Sequence, residues 1–195
     1  MESAAAPVAM SSGTSGDSSA HGLPIGGRAE EFGSLLGVDG QSYALDTFRH
    51  KKVLVLVFAG NACPAAKACW PSVVELQRRY ASKGVQVVAL NPNNPYLSSE
   101  DSFSRMRDVS TESGFNFPYL KDVDGAAAKK YGAQNTPHFL ILDQERRLRY
   151  RGRMFDSRDP ARATTQDLQD AVESVLSGRP VQNAETRALG CSIVW

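Results

Sequence analysis

Six consecutive apolar residues, Val53 to Phe58, mark the centre of this chain. A strand with one wet face alternates apolar and polar side chains, so an unbroken run predicts a central strand covered on both faces. Val85 to Leu90 predicts a second buried strand. Between them, from Pro64 to Ser82, the residues Cys69, Val73, Leu76 and Tyr80 recur at helical spacing, and Gly84 closes the helix. Asp39-Gly40, flanked by Ser34–Val38 and Ser42–Leu45, is a hairpin signal. Asn91 to Tyr96 is rich in Pro and Asn and reads as a loop. Ser99 to Ser113 predicts a helix, with Ser98 or Ser99 as N-cap and Glu100 and Asp101 favouring its positive end. A short strand at Phe117–Leu120 and a short helix from Gly125 to Tyr131, ended by Gly132, follow. Pro137 then introduces a strand at His138–Leu142, with Arg147–Arg153 as its hairpin partner. A last helix spans Thr165 to Leu176, stopped by Gly178 and Pro180. This order predicts an α/β fold with a mixed central β-sheet and helices on both faces.

Composition narrows the function classes. With 195 residues, 42% of them hydrophobic, the chain suits one domain. Lys plus Arg number 22 against 21 for Asp plus Glu, so charge gives no reason to expect nucleic acid or an anionic membrane as partner. No apolar run approaches the roughly 18 residues of a spanning helix. Residues 1–27 are dominated by Ser, Ala and Gly and are expected to form a disordered tail, with the domain at 28–195 and order beginning near Phe32. Ala4–Met10 is short, broken by Pro7 and preceded by Glu2, unlike a signal peptide. Three cysteines, an odd count, suit reactive thiol chemistry rather than a disulfide scaffold. The expected location is cytoplasmic.

The chemistry concentrates at Cys63. The central strand runs into it, and Pro64 occupies what would be the first helical position. Unpaired N–H groups and the helix dipole favour a thiolate there, and such sites lower a cysteine pKa from ~8.5 into the ~3.5–7.5 range. The competing reading is an inert buried cysteine. Cys69 lies on the apolar helix face, roughly 9 Å along the axis from Cys63, and is expected in the core. His21, His50 and His138 are not clustered, and a lone Cys and His make no metal site. Neither metal nor cofactor is expected. Arg149, Arg151 and Arg153 share a strand face and read as a solvated edge, with Arg153 able to reach the thiolate if the strand ends near it.

Cys63-Pro64-Ala65-Ala66, followed by Lys67 and then by Pro71, resembles the thioredoxin superfamily, whose Cys-Gly-Pro-Cys motif is followed by Lys and by a helix-kinking Pro. The resemblance makes Cys63 the attacking cysteine and leaves Ala66 at the usual resolving position. Thr136-Pro137 resembles the cis-proline loop of that fold, where the residue before Pro pairs with substrate by its backbone. The longer spacing from Cys63 to Pro137, with its surplus around Asn91–Phe117, is similar to a peroxiredoxin-type insertion. Asn61–Pro64, Asn91–Asn93, Phe117–Leu120, Thr136–Phe139, Tyr150–Arg153 and Gly190–Trp195 together resemble peroxiredoxin-like redoxins of the alkyl hydroperoxide reductase and thiol-specific antioxidant group. That resemblance implies a thioredoxin-like fold from about Phe32 to the C-terminus, with substrate-binding positions at Asn61, Pro64, Thr136 and Pro137. It does not carry peroxidase activity with it. Peroxiredoxins bear Pro-x-x-x-Thr-x-x-Cys, and this chain has Leu56 and Gly60 at the Pro and Thr positions.

The implied activity is thiol-dependent oxidoreduction. Cys63 would attack a protein or small-molecule disulfide, or a hydroperoxide, and a thiol reductant would restore it. The alternative is a non-catalytic thioredoxin-fold binding module or redox sensor. With Ala66 lacking sulfur and Cys69 in the core, Cys191 is the proposed resolving thiol, in a tail expected to be mobile. Two other outcomes stay open: Ile193, Val194 and Trp195 could pin the tail and leave Cys191 idle, or Cys191 could pair with another protomer.

Overall fold

The structure, a computed structural model, describes residues 22–195. Most of the expected tail, 1–21, lies outside the described residues. Two short strands, β1 (Leu35–Leu36) and β2 (Ser42–Tyr43), form the expected hairpin around Asp39-Gly40. The central strand β3 (Val53–Phe58) is buried at every position. Helix α1 (Pro64–Tyr80) leads through a single 3₁₀ turn to Gly84, whose left-handed backbone (φ 89°) turns the chain into β4 (Val85–Asn91). Then come α2 (Phe103–Glu112), β5 (Tyr119–Lys121), α3 (Ala126–Tyr131), β6 (Asn135–Thr136), β7 (His138–Leu142), β8 (Leu148–Gly152), α4 (Asp167–Leu176) and β9 (Cys191–Ser192).

The main sheet has the order β5-β4-β3-β7-β8. β3 pairs in parallel with β4 and antiparallel with β7, so the sheet is mixed, as the sequence predicted. Its two faces bury separate cores. Val53, Val55 and Val57 pack with Trp70, Val73 and Leu76 of α1 and Leu168 and Val172 of α4. Leu54, Leu56 and Phe58 pack with Ala127, Ala128 and Tyr131 of α3 and with the N-terminal segment. The thioredoxin-like architecture implied by the motifs is therefore present, and the Thr136–Pro137 bond is cis.

Three expectations need correction. The domain does not start at residue 28. Leu23 is buried in the α3-side core, and Gly26 N donates to Leu148 O (2.7 Å) while Gly27 O accepts from Leu148 N (2.9 Å). A polar-looking stretch is thus recruited as an added edge along β8. The helix expected over Ser99–Ser113 is interrupted: Ser99–Asp101 is a 3₁₀ turn, Ser102 is extended (φ −65°, ψ 154°), and α2 starts at Phe103. The break carries Asp101 inward, where it is fully buried rather than facing water at a helix start. Arg153 does not approach the thiolate; its Nε sits 2.7 Å from Asp167 Oδ2 and ties β8 to α4.

Leu23 supplies the test of the docked N-terminal segment. Leu23→Ala removes a buried side chain from the rim of a core, at a cost of about 2 kcal/mol, the low end for such truncations. For a chain of this size that lowers Tm by about 4–8 °C in a thermal melt. A chain beginning at Arg28 should fall at least as far. An unchanged Tm in both would show that the segment is not docked.

Candidate active site

Cys63 is the N-cap of α1, with extended backbone (φ −77°, ψ 116°) and Pro64 next at the first helical position. Its carbonyl accepts from Lys67 N at 3.1 Å, closing the first turn. The sulfur is therefore held over the unpaired N–H groups of the helix start. The loop before it is tight for a specific reason. A Cβ added at Gly60 would lie 2.2 Å from Asn93 Nδ2 and 3.3 Å from Asp101 Oδ1. The position that carries Thr in peroxiredoxins has no room here for any side chain.

What fills that space is a buried polar network. Asp101 is fully buried and collects Asn61 N (2.6 Å), Asn91 Nδ2 (2.9 Å), Asn93 Nδ2 (3.0 Å) and Ser98 Oγ (2.6 Å). Asn61 Nδ2 donates to Glu100 O at 2.8 Å, and Asn61 Oδ1 accepts from Tyr119 OH at 2.8 Å. A buried carboxylate is tolerated when donors converge on it in this way. The consequence for the site is positional: the residue two before Cys63 is bolted to the β4–α2 connection.

The same network holds the C-terminus. Asn93 Oδ1 accepts from Val194 N at 3.0 Å, and Asn94 N donates to Val194 O at 2.7 Å. Ile193 N donates to Gln134 O at 3.1 Å, and the Ile193 side chain is buried against α3 and its surroundings. Trp195 covers Gly125, where a Cβ would meet its ring at 2.5 Å, and lies 5.0 Å from Lys129 Nζ in cation–π contact. β9 pairs antiparallel with β6, placing Cys191 opposite Thr136. Gly190 permits this approach, since a Cβ there would sit 2.0 Å from Thr136 O.

The result is that Cys63 Sγ lies 3.0 Å from Cys191 Sγ and 2.9 Å from Thr136 O. Burial pushes the Cys63 thiol up, but hydrogen bonds from the Cys191 thiol and from the backbone N–H groups of Ala66 and Cys191 outweigh it. The buried Thr136 side chain adds to the lowering, and the Cys63 pKa falls below the ordinary value. Cys191 moves oppositely: its hydrogen bond to Cys63, together with burial, pushes it up to about 11. Burial, helped by the charge of Cys63, pushes Cys69 up to about 12. One sulfur is poised as thiolate and its neighbour as thiol. As a neutral thiol Cys63 donates to Thr136 O; ionised, it accepts from Cys191.

The structure brings together Cys63, Pro64, Thr136, Pro137 and Cys191. Pro64 is exposed beside the buried sulfur. Asn61 requires correction: it is fully buried with its amide engaged by Tyr119 and Glu100, so it positions the loop and is not free to bind substrate. The tail is docked rather than mobile, as the pinning alternative held, and the docking sets Cys191 against Cys63. Cys69 is buried, as expected. His138 is half-buried on the α3 side of the sheet, where burial, with Arg151 adding to it, pushes its pKa down to about 4. The site roles of Asp101, Ser98, Tyr119 and Gly190 escaped the sequence reading; the Asn91–Asn93 motif was the visible trace of the polar network. Among the described residues, no group of three or more His, Cys, Asp or Glu could hold a metal ion, and no helix is long and apolar enough to cross a membrane.

Comparison with known proteins gives the family and agrees with the fold. The Redoxin family model matches residues 24–170, a span that ends before Cys191. A thiol-disulfide oxidoreductase ResA from Geobacillus thermodenitrificans is 27% identical over 122 residues, 63% of this chain. The match covers 65% of that relative, less than two thirds of its length. A solved hypothetical protein from Sinorhizobium meliloti superposes with TM-score 0.84 at 33% identity, over 90% of this chain and 96% of its own. An uncharacterized conserved protein from Geobacillus kaustophilus superposes with TM-score 0.83 at 36% identity, over 89% of this chain and 93% of its own.

Alkylation against pH reads the three thiols separately. Iodoacetamide labelling, quantified by peptide mass spectrometry, should give Cys63 a midpoint below the usual value of about 8.5, with Cys191 and Cys69 well above it. At pH 7 Cys63 should label first although Cys191 is the more exposed. Faster labelling of Cys191 at that pH would contradict the assignment.

Proposed function

The chain belongs to the Redoxin family, and from that footing we propose a thiol-dependent oxidoreductase in which Cys63 attacks and Cys191 resolves. The observation that carries the reading is the 3.0 Å separation of the two sulfurs, one at the start of α1 and the other held opposite Thr136 by paired backbone. A near-attack geometry of this kind replaces a bimolecular step by an intramolecular one.

With a disulfide substrate, the Cys63 thiolate attacks one sulfur, forms a mixed disulfide and releases the other half as a thiolate. The Cys191 thiol gives up its proton and attacks Cys63 Sγ, which expels the second half as a thiolate. The products are a Cys63–Cys191 disulfide and a substrate reduced by two electrons. With a hydroperoxide, Cys63 becomes a sulfenic acid as the alcohol leaves, and attack by Cys191 then releases water. In either case an external thiol reductant returns the two electrons. The name of the ResA relative supports the disulfide branch. Gly60 and Leu56 argue against the dedicated peroxide pocket of peroxiredoxins, since no side chain at 60 can donate to a developing charge. The sulfur-to-sulfur pairing favours redox chemistry over a plain binding module, and turnover with excess reductant separates the enzyme from a redox sensor built on the same pair. Thiols that must cycle through the reduced state suit a reducing compartment, and the cytoplasm is the proposed location.

The test is kinetic. Cys63→Ser should abolish turnover. Cys191→Ser should keep the first step, seen as stoichiometric release of one thiol per chain, but stall as the mixed disulfide. Steady turnover should drop on the order of 100-fold, because an intermolecular thiol must do what the neighbour did. Undiminished turnover in Cys191→Ser would overturn the resolving role.

A further inference from the structure

We infer that the C-terminal strand makes the Cys63 site selective for compact oxidants over protein disulfides, by filling the main-chain edge that a polypeptide would need. The inference rests on the proposed attack by Cys63 and adds its substrate class.

β6 is a strand of two residues whose pairing partner is β9 of the same chain. It lies directly beside the reactive sulfur, since Thr136 O is 2.9 Å from Cys63 Sγ. Cys191 shows where a polypeptide must go to bring sulfur to Cys63: its backbone lies opposite Thr136 in an antiparallel ladder. A cysteine of a protein substrate carries its own main chain, and that chain would claim the same edge by strand addition. The seat is already taken. Gly190 packs backbone on backbone against Thr136 and Pro137, leaving no space for a second strand. On the other side of Cys191, Ile193 is buried, Val194 is bonded to Asn93 and Asn94, and Trp195 is seated on Gly125. Cys63 keeps 4% of its surface accessible. That opening suits a molecule that needs no main-chain pairing. A small disulfide can place one sulfur at Cys63 with β9 in position, and Cys191 is then beside the mixed disulfide it must resolve.

The strand can be lifted in the full chain without removing either cysteine. Gly190→Val forces a side chain into the Thr136 carbonyl, and Gly190→Val/Ile193→Asp also unpins the segment beyond. Release is read by amide hydrogen exchange of the peptide that carries residues 191–194, whose N–H groups are bonded in the docked tail. The measured quantity is the single-turnover rate of the reduced protein with insulin, divided by its rate with bis(2-hydroxyethyl) disulfide. Both probes are disulfides, so the ratio reports size and main-chain access rather than chemistry. The wild type should react with the small disulfide and barely with insulin, and release of the tail should raise the ratio at least tenfold. A rise of less than tenfold with the tail released would overturn the inference while leaving the Cys63 reading intact. So would a tail that stays protected in both variants, since the tight approach at Gly190 would then not be what holds it. Absence of reaction with either probe in every form would instead refute the disulfide branch of the Cys63 reading, on which the inference stands.

Discussion

A carboxylate with no access to water must be surrounded by donors, and Asp101 is such a group. Satisfying it shapes everything near the reactive sulfur. It breaks the helix that would otherwise begin at Ser99, folds the Asn91–Ser98 connection inward, and fixes the backbone of Asn61 ahead of Cys63. Through Asn93 it reaches the C-terminal residues as well. Two ends of the molecule, the start of α1 and the tail, are thus referred to one buried charge. A hydrogen bond to a charged group contributes about 1.5–3 kcal/mol, so the arrangement is stiff as well as specific. Its members come from β4, β5 and the connections around them, which explains why the stretch between β4 and β5 is long: it is the scaffold of the site.

The chemistry follows from placing two identical side chains in different surroundings. Cys63 sits at a helix N-terminus and accepts hydrogen bonds, which favours its thiolate. Cys191 gives one to that thiolate and is held as thiol. A lowered pKa raises the thiolate fraction available for attack near neutral pH and makes the sulfur a better leaving group in thiol–disulfide exchange. The familiar arrangement spaces two cysteines along one helix turn; here the second sulfur arrives from the far end of the chain on a paired strand. The Redoxin family model stops at residue 170, so this half of the site is carried by a segment outside the matched span.

Strands, helices and the mixed sheet were legible in the sequence because each depends on local periodicity. The all-apolar run of β3, the spacing of Cys69, Val73, Leu76 and Tyr80, and the punctuation by Gly84, Gly132 and Pro137 all matched the structure. Cys63 was legible too, since a strand, a cysteine and a proline at a helix start form a local pattern. What the sequence concealed were long-range assignments of polar groups. Asp101 reads as a helix-start acid until Asn61, Asn91 and Asn93 are known to surround it. Leu23 reads as part of a tail until β8 is known to offer it an edge. Cys191 was proposed by elimination, as a mobile thiol. Only the pairing of β6 with β9 shows that it is held, and Gly190, whose lack of a side chain makes that pairing possible, looks like any loop glycine in isolation.

The central claim is that Cys63 and Cys191 of one chain form a redox pair. A peptide map after mild oxidation of the full chain at low protein concentration tests it most directly. The account predicts one dominant product, a Cys63–Cys191 disulfide within a monomer, with Cys69 still alkylatable under denaturing conditions. Cys63 recovered as sulfenic or sulfinic acid with Cys191 free, or a link found only between two chains, would contradict it.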